Sequence, residues 1–248
     1  MGAERESVMD GGTLAAAALD LRADAHVHTG FAAGRDSVGV VVSAADRAGL
    51  TGLTFADQVG PDTAWLPAYA DAVRRARQRT EITLRVAAEV EVVQPDGWLA
   101  LPADIGHLEA VSVAVSRLPL PEGPVGAREV RSMLAAGILT ADRVAETVVT
   151  ATIKGVERAS RYAPSQLARP LNLLAQVGID DAAVTPELLA ALASACRSSG
   201  TVVEISEAWR SPSPRVVAML RGADVTLVPA SDARYAAEVG NWQYLRRV

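Results

Sequence analysis

The sequence predicts an α/β protein built on a parallel sheet. Three observations carry that expectation: short apolar runs alternate with helical patterns along the chain, the helices carry cap signals, and 248 residues suit one α/β barrel domain. The strand candidates are 21–28, 52–56, 83–93, 110–115, 171–176, 202–205 and 225–228, each a short apolar run rich in Val, Ile, Leu or Thr. Helical periodicity fills the intervals. The stretch 37–48 is stopped by Gly49, and 63–78 follows the second strand. Thr185-Pro186 opens a helix over 185–197, and Ser213-Pro214 opens one over 213–221, because Thr or Ser caps free amides and Pro suits the first helical position. The span 119–165 departs from the rhythm: it is mostly helical, over 127–136 and 141–161, and reads as an excursion on the rim. Residues 1–18 read as an N-terminal tail outside the core. The alternation alone leaves the sheet free to be open or closed into a barrel.

Composition narrows the class. Half of the residues are hydrophobic but only 4% are aromatic, so the core is expected to be built from Ala, Val and Leu. No apolar run reaches the length of a membrane span, and no export signal is visible, since the apolar patch 14–18 is short. Cys196 is the single cysteine, which excludes an intramolecular disulfide and suits a reducing cytoplasm; on a helix it reads as a small buried apolar side chain. A net charge of -5 gives no global attraction to nucleic acid or to an anionic membrane. Lys154 is the only lysine, so the abundance of arginine carries no functional message by itself.

The chemistry concentrates at strand ends. Asp24-Ala25-His26-Val27-His28 places two of the three histidines two residues apart on a strand, where alternate side chains share a face, so both imidazoles aim at one place. Paired imidazoles on a rigid element suit a borderline-soft metal ion. Functional residues of parallel barrels lie at the C-terminal ends of strands. Polar residues recur there: Asp57 and Gln58, Glu89 and Glu91, Ser116 and Arg117, Gln176, Glu204, then Ser231, Asp232 and Arg234. His107 follows a turn and reads as a surface residue, Glu204 as a structural carboxylate near the rim, and Glu91 is left outside the site. Trp65, Tyr69, Trp98, Trp209, Trp242 and Tyr244 are scattered and read as rim packing.

The succession DAHVHTGFAAGRDS, AGLTGLTFADQ, VAAEVEV, LEAVSVAVSR, LLAQVG, VEIS, VPASDAR and VGNWQYL resembles the PHP (polymerase and histidinol phosphatase) superfamily of metal-dependent phosphoesterases across residues 20–245. That resemblance implies a distorted (β/α)7 TIM-like barrel with up to three metal ions at its C-terminal mouth. It also implies roles for particular residues. His26 and His28 match the first two histidines of the pattern, Glu89 the carboxylate that usually bridges two metals, and Asp232 the aspartate of the closing motif. The other positions depart: Gln58 stands for the histidine after Asp57, Ser116 or Arg117 for the one closing the fourth strand, Gln176 for the one in "laHP", and Arg234 for the last. Ala33 or Gly34 occupies the place of a further ligand after the first motif.

The four matching residues imply one remaining two-His, two-carboxylate site for a single divalent ion (Zn, Mn or Fe), with Asp24 and Asp57 as partners of the imidazole N–H groups. Asp57, Arg117 and Arg234 are the candidate catalytic groups; Arg117, Arg234, Gln58 and Gln176 are the candidate substrate-binding ones. Guanidinium binds phosphate or carboxylate in bidentate fashion, so Arg117 and Arg234 could hold a small anionic substrate; the competing reading is that each salt-bridges a carboxylate left over by metal loss. The resemblance favours a diverged phosphoesterase. The alternatives are a non-hydrolytic barrel enzyme (lyase, isomerase or cyclase) and a noncatalytic anion- or partner-binding homologue.

Overall fold

The computed structural model describes residues 19–248; the tail expected over 1–18 lies outside the described residues. Seven strands form one parallel sheet in the order β1-β2-β3-β4-β7-β8-β9: β1 (Ala23–Val27), β2 (Gly52–Val59), β3 (Thr83–Glu91), β4 (Ala110–Ala114), β7 (Ser165–Leu167), β8 (Val202–Ser206) and β9 (Leu227–Ala230). Two further strands, β5 (Leu118–Leu120) and β6 (Gly123–Val125), make a separate antiparallel hairpin. Around the sheet run α1 (Val38–Arg47), α2 (Leu66–Arg77), α3 (Ala127–Ala135), α4 (Ala141–Ala159), the short α5 (Asn172–Gln176), α6 (Pro186–Ser199) and α7 (Pro214–Gly222). The sheet curls into a nearly closed barrel. Its seam joins β1 to the end of β9, where the His28 amide donates to the Ala233 carbonyl (2.9 Å) and the Asp232 amide to the His26 carbonyl (2.9 Å).

The two caps read from the sequence are in place: Thr185 and Ser213 each accept a first-turn amide, with Pro in the first turn of α6 and α7. Ser37 and Thr140 do the same for α1 and α4. Within the stretch 119–165, expected to leave the rhythm, the hairpin and α3 do stand apart from the sheet. Helix α4, however, is the crossover between β4 and β7, buried against both and against α6. Cys196 is buried on α6, and burial pushes its thiol up to about 12, in keeping with an inert packing residue.

One strand differs from expectation. Residues 171–176 form helix α5, and the fifth barrel strand is Ser165–Leu167. A short apolar run cannot be assigned to strand or helix by periodicity, and a three-residue strand between Pro164 and Pro170 offers almost no pattern to read.

Register then builds the barrel interior in layers. Ala56, Ala87 and Ala110 are aligned across β2, β3 and β4, and two residues further on Gln58, Glu89, Ser112 and Gln166 are aligned across β2, β3, β4 and β7. Side chains two apart share a face, so a layer of alanines lies under a layer of polar groups.

Candidate metal centre

Strand β1 delivers His26 and His28 into the mouth, with ring centroids 4.8 Å apart, and both are fully buried. Glu89 arrives from β3 and Asp232 just after β9. His28 Nε2 lies 3.0 Å from Asp232 Oδ1, His26 Nε2 3.1 Å from Glu89 Oε2, and His28 Nε2 4.0 Å from the same Glu89 oxygen. Ligand atoms at 2.0 to 2.2 Å from a tetrahedral metal stand about 3.3 to 3.6 Å from one another, a spacing that the two shorter separations fall a little under and the third exceeds. A second observation agrees. His26 Nε2 is a buried nitrogen without an aligned hydrogen-bond partner, and the ligand atoms of His26, His28 and Asp232 lie within 4.8 Å of one another. The donor set fits one divalent ion of the Zn, Mn or Fe type.

A carboxylate behind His26 holds that imidazole in place, while His28 Nδ1 is buried without a hydrogen-bond partner. His26 Nδ1 pairs with Glu204 Oε1 (2.9 Å), whose oxygen also accepts from Ser112 Oγ (3.0 Å) and Gln166 Nε2 (2.6 Å). Glu204 therefore fixes the His26 tautomer and ring plane; it is part of the centre and not a rim carboxylate. Asp57 lies 3.8 Å from His28 Nδ1 and accepts from the Thr29 amide (2.8 Å) and hydroxyl, which anchors the end of β1. Asp24, expected beside an imidazole, instead accepts backbone amides of Ser231 (2.9 Å) and His26 (3.3 Å) and pins the barrel seam. Its second oxygen has no partner, and burial raises its pKa to about 6.

The cation among these acids is Arg169, which the sequence reading passed over. Its Nη1 donates to Glu89 Oε2 (2.7 Å) and Asp232 Oδ2 (2.8 Å), and its Nη2 to Glu89 Oε1 (2.6 Å) and Ser116 Oγ (3.2 Å). Burial works against the charge on Glu89, yet Arg169 and His26 override it and hold the carboxyl well below its ordinary range. Asp232 is likewise depressed against its burial, by His28 and Arg169. Burial also opposes an imidazolium at His26, but Glu204, Glu89 and Asp232 raise its pKa well above the usual value. A metal ligated through His26 Nε2 would need that nitrogen free of a proton.

The remaining expected residues fall elsewhere. Gln58 donates to Glu89 Oε1 (3.1 Å), so it supports a ligand. Gln176 is the last residue of α5, its carbonyl accepting from Arg131 (2.7 Å), and does not stand at a strand end; Leu167-Ala168-Arg169-Pro170 is the segment that follows the fifth barrel strand. That segment matches the "laHP" pattern with Arg169 in the histidine place. The signal was in the sequence, hidden by the misplaced strand. The side chains of Arg117 and Arg234 are exposed; their backbone amides bond Glu91 (2.9 Å) and Glu238 (2.8 Å). Neither is the arginine that pairs with the ligand carboxylates. At Gly34 the loop folds back so closely that a Cβ there would lie 2.6 Å from the Thr29 amide nitrogen, so that position admits no side chain. His107 pairs with Asp104 at the surface (3.5 Å), and Trp209 lies 6.0 Å from the Arg169 guanidinium, at the mouth and not merely on the rim.

No family model matches the chain, and no curated protein matches it by sequence. Solved structures do. A histidinol phosphate phosphatase from Lactococcus lactis, crystallised with zinc, L-histidinol and phosphate, shares 15% identity with a TM-score of 0.61 over 86% of each chain. A protein assigned as a histidinol phosphatase from Listeria monocytogenes shares 12% identity with a TM-score of 0.64, over 91% of this chain and all of that one. The fold is that of the PHP-type barrel. At such identities the likeness speaks for the fold, and the chemistry rests on the site itself. Among the described residues, no helix is long and apolar enough to cross a membrane.

Proposed function

We propose that this barrel is a metal-dependent phosphoesterase acting on a small phosphate monoester, with one divalent ion held by His26, His28, Glu89 and Asp232. The observation that carries the reading is the convergence of buried ligand atoms of His26, His28 and Asp232 within 4.8 Å of one another, with Glu89 Oε2 3.1 Å from a His26 nitrogen that has no aligned hydrogen-bond partner. A bound ion would polarise a phosphoryl oxygen and lower the pKa of a water toward neutrality. The chain's own groups do the rest. Glu204 keeps the His26 imidazole aimed, Gln58 and Arg169 hold Glu89, and Thr29 anchors Asp57 near His28. Arg117 and Arg234, exposed at the strand ends, would steer an anion inward without gripping it. The likeness in fold to a phosphatase crystallised with histidinol and phosphate supports this substrate class.

Two measurements test it: elemental analysis of protein purified without chelator, and hydrolysis of p-nitrophenyl phosphate and histidinol phosphate after loading with Zn²⁺, Mn²⁺ or Fe²⁺. The expected result is one tightly held ion and metal-dependent release of phosphate, with both lost in His26→Ala. Loaded protein that hydrolyses no phosphate monoester overturns the function.

A further inference from the structure

Arg169 sits in an unusual way. Its backbone adopts a positive φ of 45°, Asp232 opposite it has 55°, and non-glycine residues hold that conformation only where the surroundings impose it. The strained turn is tied on both sides, by the Ala168 amide to the Val113 carbonyl (2.8 Å) and by the Arg169 carbonyl to the Asn172 amide (3.0 Å). Its effect is to drive a guanidinium between the two carboxylates of the centre. All four N–H groups of Nη1 and Nη2 have acceptors in the protein: three carboxylate oxygens and the Ser116 hydroxyl. They have none left for a substrate anion.

The division of oxygens is informative. Asp232 gives Oδ2 to Arg169 and turns Oδ1 to His28; Glu89 gives both oxygens to Arg169 while Oε2 also faces His26. On one side the acids meet imidazole nitrogens, a set for a borderline metal. On the other they meet Ser116 and the guanidinium, and without the arginine that side would be an all-oxygen set of Glu89, Asp232 and Ser116, which suits Mn²⁺ or Mg²⁺. We propose that Arg169 is the centre's built-in second cation, a fixed charge that balances Glu89 and Asp232 and limits the site to a single exchangeable ion. This rests on the metal reading above and goes beyond it by assigning what sets the stoichiometry.

The test counts ions and does not depend on activity. Wild type, Arg169→Ala and Arg169→Lys are equilibrated with excess Mn²⁺, and bound ion is counted by equilibrium dialysis and by electron paramagnetic resonance. Expected are one equivalent in wild type, one in Arg169→Lys, which keeps the charge, and two in Arg169→Ala, whose melting temperature rises with the second. If Arg169→Ala is unfolded without metal, millimolar Mn²⁺ should restore its helical circular dichroism. Folded Arg169→Ala that binds one ion, an unfolded variant that Mn²⁺ does not rescue, or a second ion in wild type or Arg169→Lys would overturn the proposal. Wild type that binds no ion defeats the metal reading itself, a separate outcome.

Discussion

Two sectors of this barrel are buried equally well and held together by opposite means. Under α4 and α6, the interior is Val, Leu, Ala and Ile: Val144, Val148, Leu189 and Leu192 pack on Val111, Val113 and Leu167 with no charge among them. At the mouth, His26, His28, Asp57, Glu89, Arg169, Glu204 and Asp232 are as inaccessible, and each has a charged or hydrogen-bonding neighbour, although His26 Nε2, His28 Nδ1 and Glu204 Oε2 lack an aligned hydrogen bond. The first sector is cohesive through area and shape, which tolerate a change of atom type at constant volume. The second is cohesive only as a set, because burying a charge is unfavourable unless each member keeps its partner. The apolar sector offsets the cost of burying the charged one.

Glu89→Gln should give the largest effect. It conserves volume but leaves Arg169 and His26 facing a neutral amide, and breaking a buried pair in this way costs about 3 to 5 kcal/mol in urea unfolding of the metal-free protein. A loss below about 1 kcal/mol would erase the contrast between the sectors. Leu192→Ala, in the apolar sector, should cost about 2 to 4 kcal/mol through lost transfer energy and cavity, whereas Leu192→Met should stay under about 1.5 kcal/mol. That pair of values sharpens the comparison, since a volume-conserving change is mild here and severe at Glu89.

Gly155→Ala probes the same sector by overpacking. Gly155 lies on α4, where a Cβ would stand 2.7 Å from Val92 Cγ2, so about 1 to 3 kcal/mol of crowding should exceed the gain of about 1 kcal/mol in helix propensity. A thermal melt no lower than wild type would show that Val92 can yield. Arg117→Ala and Arg234→Ala should change stability least, within about 0.5 kcal/mol, because both side chains are exposed. A drop of several degrees in melting temperature would place them in the charged set after all.

The fold was legible to the extent that its signals were local. Helices α6 and α7 announced themselves through Thr185-Pro186 and Ser213-Pro214, and β1 through the His-x-His on an apolar run. Strand β7 was illegible, at three residues between prolines, so Gln176 was read at the strand end that Arg169 in fact follows. His26, His28, Glu89 and Asp232, named from the order of motifs along the chain, are brought together at the mouth. The role of Glu204 was not legible, since nothing near it in sequence indicates that it would meet an imidazole 178 residues away.

By itself, the sequence determined the strand-helix alternation, the caps, the alanine-rich interior and the two imidazoles on one face, because each depends on neighbours within a few residues. The tertiary structure alone decided which charges share the mouth. Parallel register set Gln58, Glu89, Ser112 and Gln166 in one layer, closure of β9 on β1 brought Asp232 to His28, and a left-handed turn put Arg169 between two carboxylates. Pairings of that kind are specified by the geometry of a closed sheet, which joins residues that the chain itself keeps far apart.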